Sequence, residues 1–193
     1  MTEIKICGIT RVEDALCATA CGVDAFGFIF HPASPRYIAP ERAKEIVSAL
    51  PRGITTVGVF VNREAEDVAQ TANDCGLDLI QFHGDESPEY CRRFPAERLI
   101  KAVFPRTPED LRSLDAYPVW AFLVDFRDVG RYSGTGKRPD WGIAAIIRKT
   151  RPLILAGGLS IENIGDALAA VAPGPWTSTA GSRGRPGSRT MTE

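Results

Sequence analysis

Short apolar segments alternate with amphipathic segments along most of this chain, and this alternation constrains its fold more than any other feature. The apolar segments are rich in Val, Ile and Phe, as expected of strands that are covered on both faces. The predicted strands are Glu3–Cys7, Ala25–Phe30, Thr55–Phe60, Leu79–Phe82, Leu99–Val103, Val119–Val124 and Leu153–Ala156. The predicted helices are Val12–Cys21, Pro40–Leu50, Glu64–Cys75, Pro88–Phe94, Pro108–Leu114, Trp141–Lys149 and Ile161–Val171. Seven such repeats of about 25 residues predict an α/β fold of the (β/α)8 TIM-barrel class rather than an open, doubly wound sheet.

The composition is that of an ordinary globular protein and argues against several classes of function. The chain has 193 residues, 44% hydrophobic and 24% charged, with a formal net charge of -1. This length suits one domain, and the near-neutral charge argues against nucleic acid as a partner. No apolar run reaches the roughly 18 residues of a membrane span, and the N-terminus does not resemble a secretory signal. We therefore expect a cytoplasmic protein with no membrane or nucleic acid partner.

The cysteines indicate reduced thiols rather than disulfides or a metal site. None of the five belongs to a CxxC pair, as is usual for a cytoplasmic protein. Cys17 and Cys21 are four residues apart on a predicted helix, but the chain has only two histidines, so we predict no zinc site. No GxGxxG follows the first predicted strand, which argues against a dinucleotide cofactor.

The first predicted strand ends in a cysteine, Cys7, which is followed by Gly8 and then by a predicted helix. Thr10 is placed to cap that helix, and Glu13 would complete a capping box. A thiol beside a helix N-terminus is stabilised as thiolate. The ordinary alternative is a small buried apolar residue.

Other chemically distinctive residues follow later strands. Arg36 lies in a Pro-rich loop after the second strand, Asp125 follows the sixth, and Gly157 and Gly158 follow the seventh. A glycine pair that opens onto a helix can hold a phosphate through backbone N–H groups. The alternatives are a solvated arginine, a capping aspartate and a plain turn. Because barrel enzymes carry their chemistry on the loops after the strands, we predict that these residues and Cys7 converge on one mouth.

Six motifs, in one order and spacing, carry a resemblance to a known family. They are KICGIT (Lys5–Thr10), FHPASPRY (Phe30–Tyr37), IQFHGDE (Ile80–Glu86), VD (Val124–Asp125), SGTGK (Ser133–Lys137) with DW (Asp140–Trp141), and LAGGL (Leu155–Leu159). Together they resemble the phosphoribosylanthranilate isomerases of tryptophan biosynthesis, from Lys5 to about Val171. The resemblance implies a (β/α)8 barrel that uses no cofactor or metal, acts on a phosphorylated small molecule, and is a monomer or a homodimer.

The resemblance also implies a reaction and residues for it. The reaction is an Amadori rearrangement of N-(5-phosphoribosyl)anthranilate to 1-(o-carboxyphenylamino)-1-deoxyribulose 5-phosphate, with Cys7 as general base and Asp125 as general acid. Arg36 is similar to the family residue that holds the anthranilate carboxylate. The other substrate-binding residues that it implies are Gly157, Gly158, Gln81, His83, Gly134 and Gly136. The first two would form half of a phosphate cradle, whereas Gln81 and His83 receive no firm role, and His83 has the alternative of a hydrogen bond within a turn.

The C-terminal segment departs from the family. Family members continue with an eighth strand, a phosphate loop of the type VDVSSGVE and an eighth helix, whereas residues 173–193 are mostly Gly, Ser, Arg, Thr and Pro, a composition typical of disorder. We therefore predict a barrel domain of seven βα units at 1–172, lacking a normal eighth strand and helix, and a disordered tail at 173–193. Without an eighth strand the barrel cannot close, so we expect poor solubility and little activity.

A shift in reading frame offers an explanation for this tail. Read one frame away, codons for the residues after Gly174 can encode Val-Asp-Val-Asn-Ser-Gly-Val-Glu, and Trp176 followed by Thr177 requires the aspartate. Our hypothesis is a one-base frameshift near Gly174, caused by a sequencing error or by a real lesion.

Two other classes of function remain open at this stage. One is a related sugar-phosphate barrel enzyme, such as an isomerase of histidine biosynthesis or a ribulose-phosphate epimerase, for which paired aspartates or metal-binding histidines would be evidence. Cys7 and Arg36 argue against it. The other is an inactive remnant that binds sugar phosphates or nothing at all. The presence of both Cys7 and Asp125 argues against long drift, whereas a recent frameshift is compatible with both residues.

Overall fold

Eight parallel strands form a closed barrel in the computed structural model of the chain, in which residues 3–126, 139–171 and 177–180 are described. The strands are β1 Glu3–Cys7, β2 Ala25–Ile29, β3 Thr55–Phe60, β4 Leu79–Phe82, β5 Leu99–Val103, β6 Ala121–Val124, β7 Leu153–Ala156 and β8 Thr177–Ala180. Each strand pairs with the next in sequence, and β8 pairs with β1. The predicted TIM-barrel class is confirmed.

Helices connect most of these strands on the outside of the barrel. They are α1 Val12–Ala20, α2 Pro40–Ala49, α3 Ala65–Asp74, α4 Pro88–Cys91, α5 Trp141–Arg148 and α6 Ile164–Val171. Short 3₁₀ helices at Ala96–Arg98 and Pro108–Ala116 flank β5, so the α-helix predicted at Pro108–Leu114 is wrong in type. The helix predicted from Ile161 begins at Ile164 instead, because Asn163 bonds through its side chain to the Ser160 N–H and the Gly158 carbonyl, which holds the preceding residues in turns.

The alternation of side chains along each strand produces two apolar layers. One set fills the inside of the barrel and consists of Val57, Ile100, Ala102, Ala121, Leu123, Ile154 and Ala156. The other set faces the helices, as Phe26 and Leu153 do against the buried faces of the surrounding helices. Full burial of a Val, Leu, Ile or Phe side chain is worth about 1.5–3 kcal/mol, so these layers hold the strand ends in fixed positions.

The eighth strand corrects one expectation from the sequence. The backbone of Thr177–Ala180 pairs with β7 from Leu153 to Ala156 and with β1 from Glu3 to Lys5, so the expectation that the tail supplies no strand and leaves the barrel open is wrong. Strand pairing uses backbone groups, and the unpaired edges of β1 and β7 accept any segment that fits a strand. Thr-Ser-Thr-Ala contains two β-branched residues and no proline. The segment lacks the apolar pattern of the first seven strands, and the position of an eighth helix lies outside the described residues.

Candidate active site

Cys7 ends β1 at the mouth of the barrel, where its thiol lies above Gly27 of β2. A Cβ atom on Gly27 would stand 2.7 Å from the Cys7 sulfur, so only glycine leaves room for the thiol there. The chain then turns at Gly8, whose φ is +87° and whose N–H donates to the Gly27 carbonyl at 2.7 Å. These contacts fix the half-buried thiol at the end of the strand.

The predicted capping box after Cys7 is wrong. The residue that caps α1 is Arg11, and its side chain makes no capping hydrogen bond. Thr10 is therefore one residue too early to cap the helix. The thiol is also separated from α1 by several residues, so any stabilisation of its thiolate must come from groups other than the helix N-terminus.

Arg36 packs directly against this turn rather than extending into solvent. Its Nη1 donates to the Cys7 carbonyl at 3.0 Å, and its Cδ lies 2.7 Å from the point where a Cβ on Gly8 would stand. Because Gly8 has no side chain, the Arg36 side chain can cross the end of β1 without a clash. One of the five N–H groups of the Arg36 guanidinium thus holds the turn.

Asp125 follows β6, on another part of the rim, and is 8% exposed. Its Oδ1 accepts from the Phe126 N–H at 2.7 Å, and its Oδ2 lies 3.5 Å from Nε2 of His83. Gln81 of β4 lies behind this pair, with its Nε2 3.0 Å from Nδ1 of His83. When that amide donates, Nδ1 is the acceptor and the neutral imidazole carries its proton on Nε2, facing the carboxylate.

The turn formed by Gly157 and Gly158 also borders the acid, through Gly157. Both have positive φ, +82° and +61°, and a Cβ on Gly157 would stand 2.5 Å from Oδ1 of Asp125. The pair therefore forms a tight turn that makes room for the carboxylate. Turns at residues 161–163 precede α6, so the helix begins three residues farther from the pair than predicted.

A buried ion pair, missed in the sequence, supports the His83 loop. Lys101 on β5 donates to the Gly84 carbonyl at 2.8 Å and to Oε2 of Glu86 at 3.1 Å. The other oxygen of Glu86 accepts from the Asn62 N–H at 2.8 Å. The available signal was a lysine inside the otherwise apolar strand Leu-Ile-Lys-Ala-Val, because an internal lysine in such a strand needs a buried partner.

The described residues thus place Cys7, Arg36, Gln81, His83, Asp125 and the two glycines 157 and 158 at the carboxyl ends of the strands, as the sequence predicts. Gly134 and Gly136 lie outside the described residues. Within the described ranges there is no cluster of three His, Cys, Asp or Glu side chains able to hold a metal ion. In the same ranges no helix has the length and apolar character needed to cross a membrane.

Comparison with known proteins identifies the family. Residues 4–177 match the family model described as N-(5'phosphoribosyl)anthranilate (PRA) isomerase. The N-(5'-phosphoribosyl)anthranilate isomerase of Syntrophus aciditrophicus is 53% identical over 173 residues, which cover 90% of this chain and 75% of that protein. The enzyme of that name from Geobacter sulfurreducens is 47% identical, with 90% and 85% covered.

Solved structures agree with this assignment. Phosphoribosyl anthranilate isomerase from Thermotoga maritima superposes with a TM-score of 0.82 at 37% identity, covering 93% of this chain and 88% of that one. A phosphoribosyl anthranilate isomerase in complex with reduced 1-(o-carboxyphenylamino)-1-deoxyribulose 5-phosphate gives 0.79 at 38% identity, with 93% and 87% covered. The alternative of another sugar-phosphate isomerase or epimerase is not supported. The chain belongs to the N-(5'-phosphoribosyl)anthranilate isomerase family, the isomerases of tryptophan biosynthesis.

Proposed function

We propose that this chain itself catalyses the Amadori rearrangement of N-(5-phosphoribosyl)anthranilate, with Asp125 as general acid and Cys7 as general base. The observation that carries the proposal is the placement of a thiol and a buried carboxylate at the same end of one barrel, on β1 and directly after β6. Each is held by a glycine that leaves it room, Gly27 for the thiol and Gly157 for the carboxylate. Such a pair can deliver a proton to one part of a bound sugar and remove one from another.

The acid step opens the furanose ring. The Phe126 N–H occupies Oδ1 of Asp125, so Oδ2 is the oxygen that we expect to carry the transferable proton. That proton goes to the ring oxygen as its bond to C1′ breaks, and the nitrogen lone pair forms the C=N bond of a protonated Schiff base. If Nδ1 of His83 accepts from Gln81, its Nε2–H lies 3.5 Å from the carboxylate that remains.

The base step forms the product. The Cys7 thiolate takes the proton from C2′, and the electrons of that C–H bond form a C1′–C2′ double bond while the iminium nitrogen becomes neutral. The resulting enolamine tautomerises to the ketone by proton transfer from the C2′ hydroxyl to C1′. No net oxidation occurs, and the starting state returns when the Cys7 thiol loses its proton to solvent and the Asp125 carboxylate takes one up.

Two further groups are proposed to bind the substrate. The guanidinium of Arg36 has N–H groups beyond the one that bonds to Cys7, and a planar fork of this kind matches a carboxylate such as that of the anthranilate ring. Gly157 and Gly158 present backbone groups for the phosphate. Gln81 and His83 are proposed to orient Asp125, which is a more definite role than the sequence suggests.

We also propose a cytoplasmic protein whose substrate is a phosphorylated small molecule and whose oligomeric state is monomer or homodimer. No disulfide joins any of the five cysteines, all of which lie in the described residues, and this suits a reducing compartment. A structurally similar isomerase from Thermotoga maritima is dimeric, and monomers generated from it also have a crystal structure.

The test compares Cys7→Ser and Asp125→Asn with the unaltered chain in steady-state turnover. Loss of a general acid or base lowers kcat by about 10²–10⁴-fold. Both variants should still bind reduced 1-(o-carboxyphenylamino)-1-deoxyribulose 5-phosphate, because neither change removes Arg36 or the glycine turn. Cys17→Ser, at an exposed site on α1, is the matched control and should turn over normally. Turnover within threefold of normal in either site variant would refute its proposed role, and an inert unaltered chain would favour the remnant.

A further inference from the structure

A lysine lies inside the barrel with no hydrogen-bond partner among the described residues. Lys5 is the middle residue of β1 and is 2% exposed. Its Nζ is fully enclosed and makes no hydrogen bond to any residue that the structure describes. An ammonium without a partner is costly to bury, so its charge needs an anion nearby. The other buried lysine of the barrel strands, Lys101, has such an anion in Glu86.

The thiol of Cys7 is an ionisable group on the same strand face as Lys5. Residues 5 and 7 face the same side of β1, because side chains alternate along a strand. A Cβ on Gly27 would stand 2.7 Å from the Cys7 sulfur and 3.1 Å from the Lys5 nitrogen, so both atoms border one small space above that glycine. Their separation is therefore within the roughly 4–6 Å over which an opposite charge favours ionisation.

Three other charged side chains lie around Lys5 and Cys7, and each has its own surroundings. Glu3 lines the same cavity of about 90 Å³ as Lys5, and burial, followed by the charge of Asp24, raises the pKa of that carboxyl. Arg36 bonds to the Cys7 carbonyl from the loop after β2, and adds positive charge on the mouth side of the turn. Across the mouth, the Asp125 carboxylate already has the Phe126 N–H and His83 as neighbours.

We propose that the Lys5 ammonium is the counter-ion of the Cys7 thiolate. The positive charge of Lys5, which lies inside the barrel, stabilises the thiolate form of Cys7. Lys5 therefore affects the reaction only through Cys7. It is a positioning residue that does not touch the substrate. The link to catalysis rests on the proposed function of Cys7, whereas the ion pair itself does not.

The first test follows the alkylation of Cys7 by iodoacetamide against pH, read by mass spectrometry of the Cys7 peptide. Lys5→Met removes the charge at similar volume, and Lys5→Gln is a second neutral variant in case the first fails to fold. We expect the midpoint for Cys7 to move to higher pH by about one unit, while the exposed Cys17 and Cys21 provide unchanged internal references. Lys44→Met, at an exposed site on α2, is the matched control and should leave the Cys7 midpoint in place. An unchanged midpoint in a folded Lys5 variant would overturn the proposal.

The second test needs no change at Lys5. Because coupling between two ionisable sites is reciprocal, removal of the thiolate must make the ammonium less stable. We expect the Lys5 Nζ resonance, followed by NMR, to titrate at lower pH in Cys7→Ser than in the unaltered chain, and an identical titration would overturn the ion pair. If Cys7→Ser keeps full turnover while both shifts are observed, the proposed function fails and the ion pair stands.

Discussion

The turn at Gly157 offers a sharp prediction, because a single methyl group there meets the proposed acid. A Cβ on residue 157 would stand 2.5 Å from Oδ1 of Asp125 and 3.0 Å from the Phe126 nitrogen. The φ of +82° adds backbone strain that any L-residue must bear. Gly157→Ala therefore tests whether the position of the Asp125 carboxylate matters to the reaction.

The two effects of this substitution have separate magnitudes. Left-handed backbone at a non-glycine residue costs about 1–2 kcal/mol, which lowers the melting temperature by roughly 2–8 °C in a domain of this size. Ordinary contact with a Cβ begins at 3.4 Å, so Oδ1 must move by about 1 Å, and a misplacement of that size can lower the rate by about 100-fold. We expect kcat to fall by about two orders of magnitude, and KM to change less.

The assay measures kcat, KM and thermal unfolding for Gly157→Ala beside Gly22→Ala. Gly22, after α1, has a φ of +83° and no atom within 4 Å of a built Cβ, so it carries the same strain without the contact. We expect the two variants to lose similar stability and only Gly157→Ala to lose turnover. Normal kcat in Gly157→Ala would refute the argument, and equal losses of kcat in both would assign the effect to strain.

Three other predictions concern stability. Lys101→Met leaves the Glu86 carboxylate buried without its partner, so we expect the free energy of unfolding in urea to fall by about 3–5 kcal/mol. Adding Glu86→Gln to that variant should restore most of this loss, and a double variant with no gain in stability would contradict the ion pair. Burial raises the pKa of Tyr90 from 10.0 to about 12 and that of Cys91 from 9.0 to about 11. The unfolded chain therefore releases these two protons at lower pH than the folded chain does, so we expect the free energy of unfolding to fall as pH rises from 9 toward 12. A free energy of unfolding that stays constant over this range would contradict the burial of the two groups. Thr179→Pro removes a backbone N–H from β8, and we expect a lower melting temperature if that strand closes the barrel, whereas an unchanged melt would show that it does not.

The main features of the fold follow from local patterns in the sequence. The first seven strands were predicted within two residues of their observed bounds, because short apolar segments between polar turns are distinctive when both faces of a sheet are covered. The eighth was not predicted, because Thr177–Ala180 has no apolar pattern and its pairing depends on two edges far away in the sequence. The frameshift near Gly174 stays a hypothesis, to be checked by resequencing the gene there.

The residues that form the candidate site could be predicted from the sequence, but the contacts between them could not. Cys7, Arg36 and Asp125 are indicated by their positions after strands and by the family motifs. The bond from Arg36 to the Cys7 carbonyl joins residues 29 positions apart, and no local pattern specifies it. The surroundings of the Lys5 ammonium also could not be predicted, because the sequence of a strand does not show whether a lysine in it has a hydrogen-bond partner.

The most direct measurement is the turnover of N-(5-phosphoribosyl)anthranilate by the purified 193-residue chain, with its thermal melt recorded on the same sample. A barrel closed by β8 with both proposed catalytic groups in place predicts a cooperative melt and turnover that Cys7→Ser abolishes. A chain that melts cooperatively and binds the reduced product, yet shows no turnover, would contradict the account.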